Sequence, residues 1–250
     1  AGTGVGGGTL VNWMTSIRPP ASTRRRWARE HGLAGVDGAD LDAILDSVEA
    51  EIGVREVAHV PPKDELIRAG CTALGLEVGT IRHNGIGCGS CTGCGFGCRR
   101  GTKQSGIRAH LADAWRHGAR IVADAPVRRA LVDAGRAVGL EAAVVAGGRP
   151  RTLAVRAPTV VVAAGTLRSP VVLASSGFDH PAIGRHLRLH PVAVLGAIVP
   201  HDVVMWEGTL QAVRSVHHLE RAGAELDELG GVIAGAAPRP PRPIAPVFPR

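Results

Sequence analysis

Val160-Val161-Val162-Ala163-Ala164-Gly165 is an unbroken apolar run that closes on glycine. It shows no alternation, so it predicts a strand buried on both faces of a parallel sheet. Thr166 onward then reads as a helix, with Pro170 expected in its first turn. A strand that enters a helix through a small-residue turn is where α/β folds bind nucleotides. Upstream the pattern changes: residues 121–127 and 128–132 read as strands, Asp133-Ala134-Gly135-Arg136 as a turn, 137–145 as the return strand of a hairpin, and 151–155 as a further antiparallel strand. The two kinds of signal together predict an α/β domain with an inserted antiparallel meander, interleaved with a second region.

Towards the N-terminus the periodicity is helical. From Asp40, an expected N-cap, the positions Leu41, Ile44, Leu45, Val48 and Ile52 fall on one face, and Gly53 is the expected stop. A second helix should start at Pro61-Pro62 and carry Leu66, Ile67, Gly70, Cys71 and Leu74 on one face, which makes Cys71 a small core residue. A third should span 105–117 with Ile107, Leu111, Ala114 and Trp115 inward. The end of the chain, from Ala236-Ala237-Pro238 on, is too rich in proline for helix or central strand.

The totals set outer limits. With 250 residues, 45% hydrophobic, the chain can bury a core, and a mean hydropathy of +0.11 does not suggest disorder. Its net charge of +7 raises the question of a polyanionic partner. The basic residues are dispersed, however, and the densest run, Arg24-Arg25-Arg26, is followed by Trp27 without further interleaved aromatics, so nucleic acid is not expected. Lys63 and Lys103 are the only lysines among 29 basic residues, a bias of composition. No apolar run reaches the roughly 18 residues that span a bilayer, and no leader pattern stands at the start. A location in the cytoplasm is the default expectation.

Two segments carry the chemistry. Gly2-Thr3-Gly4-Val5-Gly6-Gly7-Gly8-Thr9 contains a formal G-x-G-x-x-G match at Gly2, Gly4 and Gly7, but no strand precedes it to deliver a helix N-terminus to a diphosphate. It reads instead as a loop whose bare backbone lets something approach closely. Cys88, Cys91, Cys94 and Cys98 form C-x2-C-x2-C-x3-C, the ferredoxin ligand spacing with Arg99 in place of its proline. An iron-sulfur cluster, a four-thiolate zinc site and a disulfide or free-thiol loop all suit that spacing.

Several segments, in order, resemble the glucose-methanol-choline oxidoreductases. Gly7-Gly8-Thr9-Leu10-Val11-Asn12 resembles that family's glycine-rich loop against FAD. Gly165-Thr166-Leu167-Arg168-Ser169-Pro170-Val171-Val172-Leu173-Ala174-Ser175-Ser176-Gly177 is similar to its second signature, departing at Phe178 and Asp179. Gly184-Arg185-His186-Leu187 with His190-Pro191 is similar to its G-R-N-L-x-x-H-P element, with His186 for Asn. The cysteine segment through Gly97-Cys98-Arg99-Arg100-Gly101, together with Trp206-Glu207-Gly208, resembles the long-chain alcohol oxidase branch.

The resemblance implies a partial FAD-binding Rossmann-like domain over residues 1–180, including a Cys-rich loop at 84–104, then the start of a substrate-binding domain at 181–235 and a proline-rich tail at 236–250. It implies that Gly7, Gly8, Thr9 and Asn12 contact the flavin or its diphosphate, that Val127 offers its backbone to the adenine, and that Ala164 and Gly165 pack close to the ADP moiety. It further implies oxidation of CH-OH groups of long-chain or hydrophobic alcohols, with an alcohol substrate and an electron acceptor as partners. The family's first strand-glycine unit would precede this chain and its catalytic His would follow it. The expectation is therefore an internal fragment, inactive alone, with no catalytic residue among His31, His59, His83, His110, His117, His190, His217 and His218. The competing expectation is an electron-transfer or structural module in which Cys88, Cys91, Cys94 and Cys98 hold an iron-sulfur cluster or zinc.

Overall fold

The computed structural model describes residues 4–219 and 231–236, so most of the proline-rich tail lies outside the described residues. In chain order the regular elements are α1 (Ala21–His31), α2 (Ala39–Glu51), β1 (Arg55–Glu56), α3 (Pro62–Ala73), β2 (Gly79–Thr80), β3 (Arg82–His83), α4 (Ala112–Arg116), β4 (Val127–Asp133), β5 (Arg136–Ala146), β6 (Arg149–Arg156), α5 (Gly165–Ser175), β7 (Val213–Ser215) and β8 (Ile233–Ala234). The chain is mixed α/β, and its described sheets are antiparallel. It divides into two compact units: residues up to Ala119 together with those from Ile198 on, and Arg120–Ala197.

In the first unit α2 starts one residue before the expected cap. Gly38 is the N-cap, and Asp40 and Asp42 lie in the first turn, where their charge favours the positive end of the helix dipole. Gly53 follows in the left-handed region, as a helix stop requires. Ile44 and Val48 are exposed although the periodicity places them on the apolar face. Glu49, near the helix end, accepts from Arg18 at 2.7 Å and pairs with Arg82 at 2.8 Å, which fastens α2 to β3. Those two guanidiniums hold its carboxyl down at about 2.

Helix α3 begins with Pro62 in its first turn and buries Lys63, Asp64 and Cys71, the last two about two turns apart on one face. Cys71 is the core residue that the pattern predicts. Leu74 is not: the helix ends at Ala73, so Leu74 caps it and is 76% exposed. The buried carboxylate of Asp64 accepts the backbone N–H of Ala212 at 3.0 Å and of Val213 at 3.3 Å. This positions β7 between β2 and β8.

The expected helix over 105–117 is broken. Ile107–Leu111 forms a π-type turn before α4, and Trp115 points outward, 67% exposed. A π turn takes more than four residues per turn, so it rotates everything after it off the 3.6-residue face.

His83, on β3, is buried between Thr209, whose hydroxyl lies 3.4 Å from its Nδ1, and the Gln211 carbonyl. Burial pushes its imidazole down to about 4, against the smaller opposing pull of the Gln211 carbonyl and the Asp64 charge. In the unfolded chain the ring takes its proton below the usual 6.5, and the folded chain refuses it until about 4. Stability is therefore full above 6.5 and falls by about 3 kcal/mol as pH drops through that window. Urea titrations at stepped pH should show this slope, and His83→Gln should flatten it. A further loss below 4.5, through protonation of Glu49, should persist in that variant.

The second unit is the expected meander, with shifted limits. β4 starts only at Val127, so of the strand expected over 121–127 residues 121–126 are not strand. The β4–β5 turn has positive φ at both Ala134 and Gly135, and the β5–β6 turn at both Gly147 and Gly148. That is the mirror-image turn geometry that matches strand twist, and glycine adopts it without steric cost. Helix α5 packs on β4, with Val172, Ala130 and Ala142 buried. Ser176, just past the helix end, accepts the Ala130 N–H at 2.7 Å and donates to the Val172 carbonyl at 2.6 Å.

The run Val160-Val161-Val162-Ala163-Ala164 corrects the expectation of a buried strand. It has no regular structure, and Val161 is 83% exposed. A strand needs a neighbour for its N–H and C=O groups, and none of the described strands lies beside this run. Helix α5 opens at Gly165 itself, which puts Pro170 at its sixth position and not in the first turn.

Candidate functional site

The glycine-rich loop is shaped from beneath and bare above. Gly6 has φ +98°, and a Cβ there would meet Ile107 Cγ1 at 2.9 Å, so the loop is pressed onto the π turn. Gly7 and Gly8, in the short 3-10 turn Gly7–Leu10, have nothing within 4 Å of where a Cβ would stand. Their backbone is thus open to a ligand. Thr9 turns its hydroxyl into the fold, donating to the Gly6 carbonyl at 2.5 Å and accepting the Gly106 N–H at 2.9 Å. Asn12 is exposed, and its N–H closes the loop onto the Gly8 carbonyl at 3.0 Å.

Lys103 holds this loop against the cysteine segment. Its ammonium is buried and donates to the carbonyls of Leu10 at 2.6 Å, Asn12 at 3.0 Å and Cys94 at 3.0 Å. Three donors meet three acceptors, so the group is fully hydrogen-bonded. Burial pushes its pKa down, while Cys94 and Cys98 pull it up. Sequence reasoning passed over this residue. The available signal was a lysine where the chain otherwise uses arginine, since a point-like ammonium reaches three convergent carbonyls that a planar fork does not.

Cys88, Cys91, Cys94 and Cys98 line one cavity with Met14, Arg100 and Thr209. Its volume of about 10 Å³ is of the order of one water molecule. Cys94 packs with Met14 and Leu210 in the small apolar core, and burial pushes its thiol up to about 11. Burial acts the same way on Cys98 but is outweighed by the Thr102 hydroxyl at 3.3 Å and the Lys103 N–H at 3.5 Å, which hold it down at about 7. All four are free thiols. Among the described residues no group of three or more His, Cys, Asp or Glu is placed to share a metal ion. The iron-sulfur and zinc expectations therefore gain no support from the geometry. Cys91 forms a backbone bridge with Gly208, so the cysteine segment and Trp206-Glu207-Gly208, far apart in sequence, meet.

The other expected cofactor contacts lie in the second unit. Val127 opens β4 opposite Ala142. Ala164 is exposed as the N-cap of α5, and Gly165, φ +80°, begins that helix with nothing within 4 Å of a Cβ. Of the histidines, His83 is buried, whereas His31, His59, His110, His117, His190, His217 and His218 are exposed. His217 and His218 lie in a surface turn with their rings edge to face, 4.9 Å apart.

The family model described as GMC oxidoreductase matches residues 1–192. An uncharacterised GMC-type oxidoreductase of Mycobacterium tuberculosis is 37% identical over 99% of this chain and 38% of its own length. Two long-chain-alcohol oxidases of Arabidopsis thaliana are 34% and 30% identical, over 88% and 80% of this chain and 31% and 28% of theirs. This chain thus spans well under half the length of these relatives. With a match over more than half its residues, and with the glycine-rich loop and the Gly165 helix start both in that stretch, the chain belongs to the GMC oxidoreductase family.

Proposed function

We propose that the chain supplies the FAD-binding part of an oxidoreductase acting on CH-OH groups of long-chain or hydrophobic alcohols. The observation that carries this reading is the glycine-rich loop: open backbone at Gly7 and Gly8, clamped from beneath by Ile107, Gly106 and Lys103. Such a surface suits a flat, anionic cofactor, because backbone can approach it without side chains intervening. In this reading Gly7, Gly8, Thr9 and Asn12 hold the flavin or its diphosphate, Val127 meets the adenine, and Ala164 with Gly165, in a partial Rossmann-like domain, lies against the ADP moiety of FAD. Bound flavin would accept hydride from the alcohol carbon. The chain's own residues bind and orient; none of the histidines described above is offered as the base that takes the hydroxyl proton. The substrate class is suggested by the Arabidopsis relatives, two of which are long-chain-alcohol oxidases.

The test is anaerobic purification of the chain, addition of FAD and then of dodecan-1-ol, followed by absorption and metal analysis. The expected result is weak flavin binding, with flavin bands that the alcohol does not bleach. Zinc at one equivalent, or iron with labile sulfide, together with no affinity for flavin would overturn the reading and move the chemistry to the cysteine segment.

A further inference from the structure

The two lysines of this chain are both buried, yet only Lys63 has a carboxylate beside it. Lys63 is paired with Asp64. Lys103, 2% exposed, donates to three neutral acceptors, the carbonyls of Leu10, Asn12 and Cys94, and the neighbouring Cys98 thiol favours its charged form. None of the ion pairs among the described residues includes it. Carbonyl oxygens satisfy its hydrogen bonds without cancelling its charge, and a buried charge with no carboxylate partner is stabilised when a further anion comes near.

The position of that charge is informative. Two of its three acceptors belong to the glycine-rich loop, so the Leu10 and Asn12 carbonyls are turned inward, and two negative dipole ends are withdrawn from the loop's exposed side. The loop is tied down again by Thr9 to Gly106, and Gly95 lies so close that a Cβ there would stand 3.1 Å from the Trp13 indole nitrogen. The result is a fixed loop with positive charge behind it and bare backbone at Gly7 and Gly8 in front.

We propose that Lys103 is a positioning residue for the anionic part of the cofactor: it fixes Leu10 to Asn12 in one conformation and places a buried positive charge behind the loop, so that the chain selects a flavin bearing a diphosphate over one without. This rests on the flavin reading above and assigns the source of its selectivity. Charge acts on FAD and leaves uncharged riboflavin nearly untouched, whereas a purely structural role would affect both alike.

The experiment is fluorescence titration of the purified full chain with FAD and, separately, with riboflavin, for the native protein and Lys103→Met. Loss of one point charge near a diphosphate should weaken FAD binding about tenfold or more and riboflavin binding less than about threefold. The amides of residues 6–12 should also exchange faster with deuterium in the variant. If Lys103→Met does not fold, Lys103→Arg is measured: it keeps the charge and disturbs the three-carbonyl geometry, so the preference for FAD should persist while the loop amides lose protection. An equal loss for both flavins, or an unchanged ratio, overturns the proposal alone. A native chain that binds neither flavin overturns the flavin reading and this proposal with it.

Discussion

Asp64→Ala is expected to unfold the first unit or to cost it about 3–5 kcal/mol, the range for breaking one side of a buried ion pair. Asp64 is fully buried, and it has three partners at once: the Lys63 ammonium and the N–H groups of Ala212 and Val213. Removing the carboxylate leaves a buried ammonium whose remaining acceptor is the Leu210 carbonyl at 3.1 Å, and two orphaned donors on the strand that joins β2 to β8. No side chain can slide in to replace it from the far side, where Gly235 sits so close that a Cβ would clash with Asp64 Oδ1. Against a total domain stability of about 5–15 kcal/mol, the loss is a large fraction. All four tryptophans, Trp13, Trp27, Trp115 and Trp206, lie in this unit, so tryptophan fluorescence in urea reads it directly. Asp64→Asn, which keeps an acceptor for the two N–H groups, should retain part of the stability, and Lys63→Met combined with Asp64→Leu should recover part of the loss by removing both charges. A midpoint in Asp64→Ala equal to that of the native chain would show that the pair contributes nothing.

What was legible in the sequence follows from how local each cause is. The meander could be read because its apolar runs are separated by turns, Ala134-Gly135 and Gly147-Gly148, that need positive φ within two residues. Cys71 was legible as core because one helical face decided it. The cysteine spacing announced that four thiols would come together, and they line one cavity, but spacing holds no information on whether thiols are arranged as ligands. Lys103 and Asp64 were not legible. Their partners stand 91 and 148 positions away, at Asn12 and Ala212, and no periodicity encodes a pairing over such a separation. Trp115 went wrong for a different reason: a single π turn shifts the register of every later position. At Val160-Val161-Val162 the composition was read correctly, but a strand is a property of two segments, and composition describes one.

The second large effect is expected at Gly139, where the backbone itself leaves no room. Leu131 pairs with Gly139 and the next residue, Val132, pairs with Ala137, so Val138 is an extra residue and β5 bulges there. Gly139 is buried at φ +153°, and a Cβ would stand 2.1 Å from the Val155 carbonyl oxygen and 3.1 Å from the Arg156 Cα. Both atoms are main chain on the neighbouring strand, so neither can rotate away. Gly139→Ala must open the β5–β6 ladder or flatten the bulge, and strain of backbone and overpacking together should cost about 3–5 kcal/mol. The same substitution at Gly147, also at positive φ but with nothing within 4 Å of its Cβ, should cost only about 1 kcal/mol. Since no tryptophan lies in this unit, amide exchange is the measurement: in Gly139→Ala the protection of β5 and β6 should collapse, while Gly147→Ala keeps it. β4, which carries Val127 at its start, is held by β5 on one edge and by the Ser176 hydroxyl through Ala130. Loosening the bulge should therefore spread to β4, and if FAD binds as proposed, Gly139→Ala should weaken it through Val127 without touching the glycine-rich loop. Protection of β5 and β6 equal to that of the native chain would mean that the bulge tolerates a side chain, and that Gly139 is dispensable to the strand that presents Val127.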